Sequence, residues 1–171
     1  SRYARWLEKE NRRETWPETV NRYMTNVVAS KLSTFSDVTQ KTKSDWVLLK
    51  IEQAILNLSV MPSMRAMMTA GPALDRDHTA GYNCSYLPVD DPKAFDEAMY
   101  ILLCGTGVGF SVERQYVQNL PEVPELSDSE TTVVVKDSKE GWAKGLRQVL
   151  ALLWAGEIPK WDVSQIRPSG A

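Results

Sequence analysis

The stretch Asn83-Cys84-Ser85 sets a thiol between two small polar residues, in a segment of glycines and hydroxyls. A structural cysteine is usually packed among aliphatic side chains. One beside small polar groups is accessible, and its thiolate can react. Core packing is the competing reading of Cys84. The second thiol, Cys104, closes the apolar run Ile101-Leu102-Leu103 and reads as a core residue. His78 stands among acids with no second ligand close by, the pattern of a surface loop. Two cysteines and one histidine fall short of the ligand set of a structural zinc site, so no metal site is expected.

Two other places suit a bound ligand. Ser63 follows Pro62 where a helical stretch gives way to a glycine-rich one. A hydroxyl and adjacent backbone N–H groups there suit a phosphate, with an ordinary turn as the alternative. Gly105, Gly107 and Gly109 alternate in Cys-Gly-Thr-Gly-Val-Gly-Phe. The spacing fits neither the dinucleotide fingerprint nor the P-loop, and the run leaves a helix and enters a strand, the opposite polarity. Such glycines allow close approach by a ligand or a neighbouring strand. Tight helix-to-strand packing is the plainer reading.

The elements that must position these residues follow from periodicity. Thr15 and Glu18 stand in capping-box spacing with Pro17 between them, and Val20, Tyr23, Met24, Val27 and Val28 continue at helical spacing. Ser44 is expected to cap a second helix with Leu48, Ile51, Ile55 and Leu58 on its buried stripe. The polar stretch 33–44 between these helices reads as a loop. A short strand is expected at 82–89, then a helix capped by Asp91 with Pro92 at its first position. Val108, Phe110 and Val112 alternate as a half-buried strand. A third strand lies at 131–135. Asp137 and Glu140 suggest a capping box for a helix burying Trp142, Leu146, Val149, Leu150 and Leu153, ended by Gly156 and Pro159. A fourth strand begins near Lys160, around Trp161 to Ile166, with no visible partner and therefore an exposed edge. Strands alternating with helices indicate an α/β unit whose sheet is incomplete.

The 171 residues are 43% hydrophobic, enough for a core, and 20 basic residues against 22 acidic ones leave a formal charge of −2. That balance argues against a nucleic-acid surface. No signal peptide is visible, and no apolar run approaches the ~20 residues of a membrane span. Two thiols and no disulfide scaffold fit a reducing compartment, so a cytoplasmic protein without nucleic-acid or membrane partners is expected.

Taken together, residues 81–114, 137–156 and 161–171 resemble the large catalytic chain of ribonucleotide reductase, and residues 2–23 are similar to its start. The likeness is strongest to the adenosylcobalamin-dependent class. It implies a helical N-terminal region, residues 1–62, and the first strands and helices of a ten-stranded α/β barrel, residues 63–171. It also implies thiyl-radical reduction of ribonucleotides to deoxyribonucleotides. Cys84 matches the first of the two reducing cysteines. Ser63 matches a substrate-phosphate contact and Asn83 another substrate contact. Thr106 and Gly107 match the backbone that lies against the nucleotide.

The same resemblance implies what the chain works with. The radical cysteine, its accompanying Asn and Glu, the partner of Cys84 and the C-terminal thiol pair all match nothing here. The chain is therefore expected to be an N-terminal fragment, inactive and marginally stable alone, that works with the missing C-terminal part. Adenosylcobalamin serves the complete enzyme, with no corrin-binding motif assignable in this sequence. A ribonucleotide substrate, a thioredoxin-like reductant and a homodimer are the remaining expected partners. The dimer follows from the short link 86–92 after the Cys84 strand, where monomeric members carry a long insertion. A non-catalytic binding or assembly module of the same family is the alternative, and an independent nucleotide-binding protein built on the glycines a third reading.

Overall fold

The computed structural model describes residues 2–32 and 41–170. The chain folds as two compact units, Ser1–Tyr82 and Asn83–Ala171. Residues 63–82 thus pack within the first unit. The loop expected at 33–44 falls mostly outside the described residues.

The first unit opens with a two-residue antiparallel ladder, β1 (Trp6–Leu7) against β2 (Arg12–Arg13). Helix α1 (Trp16–Tyr23) follows, and both bonds of its capping box between Thr15 and Glu18 are formed. The helix continues through a π-helical segment, Met24–Ala29, into α2 (Ser30–Leu32). Helix α3 spans Lys41–Leu56, so Ser44 lies inside its first turn instead of before it. Leu58 is also not on the buried stripe: it is 65% exposed and left-handed, with φ of 60°. Its N–H donates to Ile55 O and the Ser59 N–H to Ala54 O, so it forms the reversed turn that ends the helix. The core is Val20, Met24, Ile55 and Met67, from α1, the π segment, α3 and α4 (Met64–Thr69). Helix α5 (Pro72–Arg76) and a 3-10 turn, His78–Gly81, complete the unit, and His78 is exposed as expected.

Arg22 ties this unit together. Its Nε and Nη2 donate to Glu14 at 2.8 and 2.9 Å, and the remaining donors reach the carbonyls of Tyr3, Met67 and Ala70. Glu14 also accepts from the Arg5 backbone and the Thr19 hydroxyl. One ion pair therefore joins the N-terminal segment, α1 and the end of α4.

The second unit contains two strand-helix-strand repeats. In the first, β3 (Cys84–Pro88) and β4 (Gly107–Ser111) are parallel and joined by α6 (Lys93–Leu103). A short helix α7 (Arg114–Val117) follows. In the second, β5 (Ser127–Val134) and β6 (Glu157–Asp162) are parallel and joined by α8 (Lys139–Trp154). Asp91 accepts from the Lys93 N–H at 2.8 Å, but Pro92, not Asp91, occupies the N-cap of α6, so the helix starts one residue later than expected. Helices α6 and α8 pack together, with Arg147 paired to Asp96 at 2.6 Å and Phe95 near Trp154.

Several details differ from the sequence reading. Ser138, not Asp137, caps α8 by accepting from the Gly141 N–H, and Asp137 instead pairs with Arg167. The face that α8 buries is Ala143, Gly145 and Val149, while Trp142 is exposed. Small residues win because α8 lies close on its strand: a Cβ on Gly145 would come 3.0 Å from Val135. Gly156 ends the helix with φ of +86°, but Pro159 sits buried within β6. It falls where the β5–β6 register shifts, so no ladder needs its missing N–H. The last strand has a partner, β5, and stops at Asp162, whose side chain accepts from the Ser164 N–H and turns the chain. Phe110 and Val112 are mostly exposed, because β3 and β4 form a two-stranded sheet with little to cover that face. Each sheet among the described residues has two strands, and none closes into a barrel. No helix among them is long and apolar enough to cross a membrane.

Burial alone would raise the Glu14 carboxyl, but hydrogen bonds from Arg22, Arg5 and Thr19 outweigh it and hold it below its ordinary value. The folded state thus favours the charged form. Its contribution is full above the ordinary Glu value of about 4.3 and fades as pH falls through the lowered folded value. Glu14→Gln should cost about 3 kcal/mol at neutral pH, since it strands the nearly buried Arg22 charge. It should also flatten the acid limb of stability. Urea titrations from pH 3 to 7 on both proteins check this, and an unchanged acid limb in the variant would refute it.

Candidate active site around Cys84

Parallel register sets the geometry. Cys84 pairs with Gly107, Tyr86 with Gly109 and Pro88 with Ser111. Alternation then puts Cys84, Tyr86, Gly107, Gly109 and Ser111 on one face, and Ser85, Leu87, Val108 and Phe110 on the other. Cys84, Tyr86, Gly107 and Gly109 are all exposed. The Cys84 face is therefore a bare strip where a ligand can lie against backbone. Neither cysteine is in a disulfide.

Asn83 is exposed just before β3, and its carbonyl accepts from the Gly107 N–H at 2.9 Å. The Ser85 hydroxyl donates to the Gly107 carbonyl at 3.1 Å. Both backbone groups of Gly107 are thus held by the strand that carries Cys84. Thr106 is 1% exposed, and its N–H reaches back to Ile101 at the end of α6. It anchors the helix-to-strand turn, in which Gly105 takes φ of +83°, a conformation L side chains avoid. Gly107 and Gly109 do not need that freedom. A Cβ on either would meet only ordinary contacts, so their bareness is what distinguishes them.

Ser63 belongs to the first unit. It is exposed at the start of α4, and its side chain makes no capping hydrogen bond. Cys104 is half-buried at the end of α6, where the Lys139 ammonium donates to its sulfur at 3.2 Å. That contact joins α6 to α8, as expected of a packing residue, although the partner is a cation.

Sequence reasoning missed a cluster beside Cys84. The Tyr86 phenol is hydrogen-bonded with Ser111 and Tyr116, with Glu113 close by. The Ser111 bond lowers the phenol's ionisation, but desolvation, Tyr116 and Glu113 outweigh it and raise the phenol above its ordinary value. Tyr86 was legible, since two residues along a strand return to the same face. Tyr116 was not, because only the turn after β4 brings it there.

A curated relative from Levilactobacillus brevis is 27% identical over 172 residues, 82% of this chain. Relatives from Lactobacillus gasseri and Lactobacillus leichmannii are 25% and 23% identical, over 93% and 99% of the chain. All three are named adenosylcobalamin-dependent ribonucleoside-triphosphate reductase. The chain is similar to these reductases along most of its length. It spans 22%, 24% and 31% of those relatives' own lengths. No family model matches it, and no solved structure is significantly similar. The likeness to such reductases drawn from the motifs is thus met by proteins of that name.

Exposure sets the expected reactivity of the two thiols. In the native chain iodoacetamide should modify Cys84 readily, with Cys104 lagging about tenfold until urea unfolds the unit. Peptide mass spectrometry reads both sites. Equal native rates would contradict the placement of Cys84 on an open face.

Proposed function

We propose that this chain is the N-terminal part of a ribonucleotide reductase of the adenosylcobalamin-dependent class, supplying one redox thiol and part of the substrate site. The carrying observation is an exposed Cys84 beside the bare Gly107, in a chain similar along most of its length to reductases of that name. In this reading residues 1–62 are the helical lead-in, and residues 63–171 open a ten-stranded barrel whose first pieces are the two strand-helix-strand repeats. The protein works in the cytoplasm, reduced by a thioredoxin-like partner.

The chemistry assigned to Cys84 is half of a two-electron reduction. A thiyl radical on a cysteine outside this chain takes the 3′ hydrogen of the ribonucleotide and later returns it. The 2′ C–O bond breaks and the oxygen leaves as water. Cys84 and a second thiol give up two protons and two electrons and join in one S–S bond, while the 2′ carbon gains a hydrogen. The open glycine strip lets the ribose approach the sulfur, and the Asn83–Gly107 bond keeps that strip in register. Asn83 and the Thr106–Gly107 backbone line the substrate, and Ser63 contacts its phosphates.

In the relatives' names adenosylcobalamin is the cofactor, and its chemistry is to start the radical. No residue here is assigned to it. The described residues hold no metal-ligating cluster. No step above runs through the cofactor.

A homodimer is the proposed assembly. Phe95, Met99, Leu102, Leu103, Leu146 and Leu150 line a second, apolar groove of about 430 Å³ between α6 and α8. Light scattering on the complete enzyme should give a dimer, at least with effector nucleotide. Monomers under every condition would count against it.

The decisive test is Cys84→Ser in the complete enzyme. A serine hydroxyl cannot deliver the electron that forms a disulfide, although the first hydrogen removal needs only the other cysteine. The variant should make no deoxynucleotide, release free base from a stalled 2′-ketone and inactivate itself. Cys104→Ala should keep turnover and lose on the order of 1 kcal/mol of stability. Normal turnover in Cys84→Ser would sink the assignment.

A further inference from the structure

We infer that Tyr86 is a stacking platform for the base of the nucleotide on the Cys84 face. This rests on the proposal that the face takes a nucleotide. Tyr86 is one strand repeat from Cys84 on the same face, about 6.6 Å along β3. That is comparable to the span from a ribose 2′ carbon to the far side of its base.

Exposed tyrosines usually swing between rotamers, but this one is held at both ends while staying 62% exposed. At the ring, Cδ2 lies 3.8 Å from where a Cβ on Gly109 would sit, so the ring rests alongside β4 at packing distance. At the phenol, Ser111 and Tyr116 hold the oxygen. The turn after β4 holds that pair in place. The Ser111 hydroxyl accepts from the Glu113 N–H at 3.3 Å, and the Tyr116 N–H donates to Glu113 O at 2.9 Å.

A core role does not account for a ring this exposed. A ring fixed along one side and open on the other presents a flat π surface, and stacking on aromatic side chains is a general way to hold a base. The Cys84 end of the strip, with no side chain on Gly107, is left for the sugar.

The test uses the full-length polypeptide that carries this chain and reads alkylation of Cys84 by peptide mass spectrometry. CTP and the baseless probe ribose 5-phosphate are titrated as protectants. Tyr86→Leu should raise the half-protecting CTP concentration about tenfold. It should leave ribose 5-phosphate unchanged, and Tyr86→Phe should stay within about twofold of the parent because it keeps the ring. Circular dichroism checks folding, and Tyr86→Val replaces the leucine variant if that one does not fold. A leucine variant protected like the parent overturns the inference and leaves the Cys84 proposal standing. So does equal weakening of both probes, which marks general damage to the face. If CTP fails to protect Cys84 even in the parent, the nucleotide reading of the face falls and the inference falls with it.

Discussion

The parallel pairing of β3 with β4 is the constraint on which the site depends. Parallel strands cannot be joined by a tight turn, so α6 must cross between them and return the chain alongside its starting point. That return brings Gly107 opposite Cys84, although 22 residues separate them. A one-residue slip of β4 would set Val108 opposite Cys84 and put its side chain where the bare strip now lies. Register is pinned at this end of the pair by the Asn83–Gly107 backbone bond and the Ser85 hydroxyl on the Gly107 carbonyl. The thiol and the glycine are thus held by the same few hydrogen bonds.

The two units use different means to hold their elements. The first relies on a nearly buried charge pair, Arg22 with Glu14, in which every guanidinium donor has an acceptor. Satisfied in this way, a buried charge fixes geometry more than it adds stability. The second relies on close approach. Gly145 lets α8 sit against Val135, and Gly141 has no room for a side chain, since a Cβ there would be 2.2 Å from the Lys136 carbonyl oxygen. Between α6 and α8 the Asp96–Arg147 pair does part of the same work, and Asp96 Oδ1 stays buried without a hydrogen bond.

Local signals were read well from sequence because their causes are local. The capping box at Thr15 and Glu18, the strand around Cys84 and the glycine after α8 each depend on neighbours within a few residues. Boundaries were read less well where two residues compete for one role. Asp137 and Ser138 both suit an N-cap, and the serine prevails while Arg167, thirty residues on, takes the aspartate. Leu58 fits a helical stripe by spacing, yet the turn after α3 puts it in the left-handed region and out into solvent.

By itself the sequence determined the longer helices and the strands between them, the polar setting of Cys84 and the likeness to reductases, because periodicity and composition act over short windows; the short ladder β1–β2 and the short helices α4, α5 and α7 were not legible in it. Tertiary structure alone decided which groups meet. It placed Gly107 beside Cys84, Tyr116 on the Tyr86 phenol and Lys139 on the Cys104 sulfur, contacts that span 23 to 35 positions. It also decided that α8 would bury glycine and alanine in preference to Trp142. The reason is physical: hydrophobicity predicts which residues can be buried, but the distance between packed backbones decides which of them fit.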